Sequence, residues 1–183
     1  MGTTGTILLA LSLCADCFAV SLCSSVTLGR FDWGRVLRVA LVFAVIQAGL
    51  LMAGWGLGEL LTGLLGKAAR LVAFALLCYV AVSMIVEALK AEGEVRDLGT
   101  MRNIILGGIA TSVDAAIVGA ARSMDGVSLD GILPLFAEVF AFTLLSVVLG
   151  MGGGSRLGVK YGKAADILGG LILLAIAFWN LFR

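Results

Sequence analysis

The chain has no histidine and a single proline, and Asp, Glu, Lys and Arg together make up only 14% of its 183 residues. Without histidine, the commonest transition-metal ligand and the usual proton shuttle near neutral pH are both missing. So little charge excludes an ordinary soluble domain, in which about a quarter of residues are charged. The net charge of +1 offers no basic surface to a nucleic acid. No G-x-x-x-x-G-K-[ST] run occurs, so no nucleotide-powered mechanism is expected. The glycine-rich run at residues 150–158, GMGGGSRLG, contains no lysine and reads as a helix end. The four cysteines do not form a disulfide framework in a chain of this kind. The N-terminal apolar run has no basic start and contains Asp16 in place of a small-residue cleavage site, so it reads as a span and not a removable signal.

What is present in excess is apolar: 61% of residues are hydrophobic, and the mean hydropathy is +1.11. These values specify an all-α integral membrane protein. Six apolar segments reach the length of about 20 residues that a bilayer requires. They cover residues 4–28, 36–60, 69–89, 101–122, 131–150 and 164–182. The polar connections are short, so residues 1–183 read as a single transmembrane domain. The 25 glycines suit close-packed membrane helices, where small residues let backbones approach. With alternating spans, nine Lys and Arg fall on one face and four on the other. The positive-inside rule then puts both termini outside the cytoplasm.

Two aspartates lie deep in these spans, Asp16 in LLALSLCADCFAVSL and Asp114 in IILGGIATSVDAAIVGA. A carboxylate at bilayer depth costs about 2.5–3.5 kcal/mol on insertion scales, so it marks a functional position. Their separation of 98 residues also superposes Val20 on Val118, Gly54 on Gly152 and Gly56 on Gly154. The chain therefore reads as two three-helix repeats, about 4–90 and 101–182. An odd number of spans per repeat inverts the second in the membrane, the plan of many secondary transporters.

At 100° per residue, Ser12, Asp16 and Cys23 lie within about 40° of one line along the first span, and Cys14 and Cys17 lie on a roughly opposite stripe. In the fourth span Thr111 shares a face with Asp114. Two facing carboxylates in low dielectric repel, so one tends to hold a proton. A divalent cation can replace that proton, and this competition is a sufficient basis for antiport. Oxygen ligands favour hard ions such as Mg, Ca and Mn. The expected metal set is Asp16, Asp114, Gln47, Thr111 and Ser12. Glu138, Glu87, Cys17 and Cys23 are accessory or proton-site candidates. Arg122 is expected to snorkel toward the outer surface, with pairing to an acid near the exit as the second reading. The partners implied are a divalent metal ion and the lipid bilayer, with homo-oligomerisation left open. No permanently bound cofactor and no enzymatic activity are expected.

The stretches SLCADCFAVSL and GIATSVDAAIVG resemble the paired aspartate motifs of the bacterial manganese efflux pump family, MntP. Gln47 with Gly54-Trp55-Gly56, Met84 to Glu87, Thr143 to Ser146 and GKAADILGGLILL extend the resemblance over nearly the whole chain. It implies a six-span inverted-repeat exporter of Mn(II) in the bacterial cytoplasmic (inner) membrane, with the motif aspartates at Asp16 and Asp114. The chain departs from the family's usual residues at Ala15, Cys17, Cys23, Leu50-Leu51, Arg122 and Asp166. Several departures cluster around Asp16 and add thiols, which suit softer metals such as Cd and Zn. An exporter of a softer metal is therefore the alternative reading. A membrane thiol–disulfide electron carrier is a weaker rival, because Ser112 and Ala115 occupy the repeat positions of Cys14 and Cys17. An intramembrane aspartyl protease lacks its G-x-G-D context.

Overall fold

The computed structural model describes residues 3–27, 32–65, 69–90 and 100–181. All elements among them are helices: α1 (Thr3–Thr27), α2 (Trp33–Leu65), α3 (Ala69–Lys90), α4 (Met101–Ala110), α5 (Val113–Met124) and α6 (Leu129–Leu181). The first three match the expected spans to within a few residues, because each is a long apolar run without proline. Among the described residues, Gly5–Leu22, Trp33–Gly63, Met101–Met124 and Leu129–Gly153 are long and apolar enough to cross a membrane. On α2, Leu37, Leu41 and Val45 follow a four-residue spacing and are about half exposed or more. Such a stripe would be a liability in water and fits lipid.

Two expectations about the spans take a different form. The fourth is not one helix: it is interrupted at Thr111–Ser112, giving α4 and α5. The fifth and sixth lie in one continuous 53-residue helix, with no turn between residues 150 and 164. Glycine lowers helix propensity by about 1 kcal/mol but does not forbid a helix, and the lone Pro134 lies near the start of α6. The glycine-rich run is therefore helical and not a helix end. At 1.5 Å per residue α6 is about 80 Å long, more than twice a hydrocarbon core of about 30 Å.

Glycines set the helix crossings. A Cβ on Gly54 or Gly58 of α2 would collide with the backbone of Ala116 or Ala120 on α5. One on Gly119 of α5 would collide with the Leu51 carbonyl of α2. One on Gly150 of α6 would come within 2.9 Å of the Phe18 carbonyl oxygen of α1. Lipid tails are as apolar as leucine side chains, so such backbone approach, and not apolar burial, drives association. The most extensive contacts are α1 with α6 and α2 with α5, and α3 packs on α5 and α6.

The interior falls into two apolar clusters. One gathers Leu9, Leu13, Leu51, Leu77, Val118, Ile132 and Val139. The other gathers Val36, Val39, Phe43, Ile104, Val147 and Met151. Gln47 lies on α2 between Phe43 and Leu51, and Thr143 lies on α6 between Val139 and Val147, so a buried polar layer separates the clusters.

Candidate metal site

The interruption of the fourth span has a local cause. The Ser112 amide turns to the Ile109 carbonyl, one residue short of the α-helical acceptor. The Gly108 carbonyl, the acceptor it leaves, is taken by Ser112 Oγ at 2.6 Å. Thr111 Oγ1 donates to the Gly107 carbonyl at 3.0 Å. The Ser112 hydroxyl thus satisfies the carbonyl that the break would otherwise strand, whereas the Gly107 carbonyl also keeps the Thr111 amide. Gly108 leaves room for Ile46, whose Cδ1 would lie 2.9 Å from an added Cβ, and this brings the break against α2 beside Gln47.

The break puts Asp114 in the first turn of α5. There the partial positive charge of the helix N-terminus stabilises a carboxylate. Asp114 Oδ1 accepts from the Ala115 amide at 2.7 Å. Asp16 sits in the unbroken middle of α1, and both aspartates are partly exposed. Asp16 directly precedes Cys17 in α1, and Asp114 lies three residues beyond Thr111.

Three elements meet at Cys17. Its thiol donates to Gln47 Oε1 and lies 3.8 Å from Thr111 Oγ1. Gln47 Nε2 donates to the Leu13 carbonyl at 3.0 Å, which orients the amide. Cys17 and Gln47 are fully buried, and Thr111 nearly so. Two of the expected oxygen ligands therefore gather on the cysteine stripe of α1. Cys14 points to α6, with Sγ 3.4 Å from Thr143 Oγ1. Among the described residues no three His, Cys, Asp or Glu side chains converge to hold a metal ion.

The other candidates are dispersed. Ser12 is buried. Glu138 is partly buried on α6, and its Oε1 accepts from Thr6 Oγ1 of α1 at 3.1 Å, away from Cys17. The side chains of Glu87 and Cys23 lie outside the described residues. Thr143 was not among the sequence candidates. Its signal was a hydroxyl in the middle of an apolar span.

Arg122 does not snorkel. It is buried and pairs with Asp125, Nη1 to Oδ2 at 3.5 Å. The reason is the turn that ends α5. The Gly126 amide bonds the Ser123 carbonyl and the Val127 amide bonds the Arg122 carbonyl, with Gly126 at φ 81°. This Schellman-type cap folds Asp125 back beside Arg122, and Trp55 Nε1 ties α2 to the same turn through the Val127 carbonyl at 2.9 Å. Removing one partner of a buried pair costs about 3–5 kcal/mol. Asp125→Ala is therefore expected to lower the unfolding temperature in detergent well below that of the Arg122→Leu/Asp125→Ala double variant. Equal losses would mean that the pair is not what holds Arg122 inside.

The family model described as "Putative manganese efflux pump" (Mntp) matches residues 30–181. The chain is similar to "Putative manganese efflux pump MntP" of Photorhabdus laumondii, 33% identical over 187 residues, covering all of this chain and 95% of that protein. The protein of the same name from Proteus mirabilis is 34% identical over 189 residues, with the same coverage. That of Citrobacter koseri is 32% identical over 190 residues, covering the whole of both chains. No solved structure matches the chain. Matched by the family model over most of its length and by these relatives over all of it, the chain belongs to the family described as putative manganese efflux pump, MntP.

Proposed function

We propose that this chain is a secondary exporter of divalent metal cations, with Mn(II) as its principal cargo and proton exchange as its energy source. The observation that carries the reading is the meeting of α1, α2 and the α4–α5 break at Cys17, Gln47 and Thr111, with Asp16 next to Cys17 on α1 and Asp114 three residues beyond Thr111 in the first turn of α5. The name of the relatives supplies the manganese.

In this reading Asp16 and Asp114 alternate between holding the metal and holding a proton. Gln47, Thr111 and Ser12 complete a hard oxygen shell of the kind Mn(II) takes. Glu138 and Glu87 are accessory acids on the route. The protein sits in the bacterial inner membrane with both termini outside the cytoplasm. Its plan is two inverted repeats of three spans. The packing supports that plan for the first two spans of each repeat: the offset of 98 carries α1 onto α4–α5 and α2 onto the first part of α6, and the two dominant helix pairs, α1 with α6 and α2 with α5, exchange under it, whereas the third spans differ, α3 being a separate helix and its counterpart a continuation of α6.

The test is Mn(II) uptake into inside-out vesicles with a simultaneous proton-flux readout. Uptake that alkalinises the lumen in fixed ratio to Mn(II), as protons leave in exchange for the metal, is the expected result. Uptake without proton movement would discard the coupling, and no uptake of Mn(II) would discard the cargo.

A further inference from the structure

In the orientation proposed above, α5 runs from the central layer toward the outer surface and ends at the turn of residues 125–128. Asp125 follows Asp114 by 11 residues. At 100° and 1.5 Å per residue it lies about 20° from the same line along the helix and about 16 Å farther out. The interval between them holds Val118 and Ala121, both fully buried in the apolar cluster with Leu9, Leu77 and Ile132. A cation leaving the central acids along this face of α5 therefore meets apolar packing first, shut in this structure, and the Asp125 carboxylate next. That carboxylate already faces a cation, the Arg122 guanidinium at 3.5 Å, with the two side chains only 7% and 14% exposed. The approach is longer than the roughly 2.8 Å of a charge-assisted hydrogen bond, so the guanidinium is not clamped. A buried ion pair adds little stability over apolar residues of similar volume. Stability alone therefore does not account for an arginine here, and ionisable side chains at membrane depth mark ion pathways.

We propose that Asp125 is an exit-side site for a divalent cation and that Arg122 is its tethered surrogate, occupying the carboxylate whenever no metal is leaving. The inference rests on the exporter reading and on its orientation. A dipositive ion that reaches the outer end of α5 displaces the guanidinium from Asp125, and the return of Arg122 expels the ion to the outer water. One cation replaces another at one carboxylate, and no covalent bond changes. A single carboxylate holds a divalent ion weakly, which suits a position on the way out, where binding must be loose enough to release. Arg122 also competes with metal arriving from outside. It therefore lowers the affinity of the outer face for the exported ion and leaves that of the cytoplasmic face alone.

The experiment measures Mn(II) uptake into inside-out vesicles, whose lumen meets the outer face of the protein, at rising concentrations of Mn(II) preloaded in the lumen. Wild type runs beside Arg122→Gln, Arg122→Lys and the Arg122→Leu/Asp125→Ala double variant. Arg122→Gln is expected to lower the lumenal concentration that half-inhibits uptake by about tenfold, the low end of the coupling between close charge pairs. Its KM for Mn(II) at the cytoplasmic face is expected to stay at the wild-type value. Lysine keeps the charge and is expected to keep the wild-type half-inhibition. The double variant lacks the carboxylate as well and is expected to lose the added sensitivity. A pair that only holds the fold predicts one half-inhibition for every variant, with differences confined to the amount of folded protein, and that result overturns the proposal. Equal sensitivity in Arg122→Gln and the double variant also overturns it, because Asp125 is then not where lumenal metal binds. A second measurement needs neither transport nor an unpaired Asp125. Trp55 Nε1 bonds the Val127 carbonyl in the turn that carries Asp125, so Mn(II), a paramagnetic quencher, dims Trp55 when held at Asp125. Purified protein carrying Trp33→Phe, Trp179→Phe, Asp16→Asn and Asp114→Asn is expected to show saturable quenching by Mn(II). The same protein with Arg122→Leu/Asp125→Ala is not, and identical quenching in the two overturns the proposal. Absence of Mn(II) uptake by the wild type strikes the exporter reading instead, whereas uptake whose lumenal inhibition is indifferent to Arg122 strikes this inference alone.

Discussion

Asp114→Asn and Asp16→Asn are each expected to reduce Mn(II) uptake into inside-out vesicles by about 100-fold or more, with the protein still folded and inserted. The scale follows from outer-shell changes, which already cost 10- to 100-fold in metal affinity; a change to the ligand itself should exceed them. Asparagine has nearly the size of aspartate, so packing is preserved. Its Oδ1 can still accept the Ala115 amide that Asp114 Oδ1 accepts at 2.7 Å, so the start of α5 is retained. What is lost is the charge. In a poorly solvated layer a carboxylate attracts a divalent cation far more strongly than in water, and an amide cannot exchange a metal for a proton. Size-exclusion behaviour like that of the wild type, with uptake lost, is the outcome that supports the paired-aspartate mechanism. Either variant keeping a tenth or more of the wild-type rate would remove that aspartate from the mechanism. Loss at only one of the two would make the site asymmetric, in line with the helix break that occurs beside Asp114 and not beside Asp16.

The largest structural effect is expected from Gly54→Leu and Gly119→Leu. At both positions a side chain would enter the backbone of the facing helix, Ala116 for Gly54 and Leu51 for Gly119. Overpacking a core costs about 1–3 kcal/mol when neighbouring side chains can move. Here the obstacle is main chain, so α2 and α5 must separate. That separation also pulls Gln47 of α2 away from the Thr111 break that precedes α5. Both variants are thus expected to fall below the yield of folded protein needed for purification, or to unfold far below the wild type in detergent. Gly56→Ala is the control, since nothing lies within 4 Å of the added carbon. A folded Gly54→Leu protein of wild-type stability would mean that α2 and α5 are not held in backbone contact.

Much of this architecture is legible along the chain because its causes are local. Hydropathy alone delimits α1, α2 and α3, since a run of apolar residues in a bilayer has to satisfy its own backbone by forming a helix. Asp16, Asp114, Gln47 and Thr111 stand out for the same reason: a polar group in an apolar run is costly and therefore informative. Thr143 carries as strong a signal in principle, but threonine in a membrane helix often only bonds the carbonyl four residues back. Thr143 does so too, to Val139 at 2.6 Å, so its residue type alone does not separate it from an ordinary packing threonine. Cys17 is visible as a thiol near Asp16, yet the helical wheel sets it apart from the aspartate face, and only the approach of α2 and the α4–α5 break makes that stripe a meeting point.

The sequence by itself determined that this is an all-helical membrane chain, which segments are apolar enough to cross, where the acids fall and that they recur at a fixed interval. These depend on transfer free energy and spacing, which any short window contains. The tertiary structure decided that the helix breaks at Thr111–Ser112 and not at Asp16, that α6 runs on through its glycines, that Arg122 is buried against Asp125, and that Gln47 and Thr111 close on Cys17. Each of these turns on how closely two backbones approach or on which side a chain turns back. That is set by the shapes of residues far apart in sequence, such as Gly54 against Ala116 and Gly150 against Phe18.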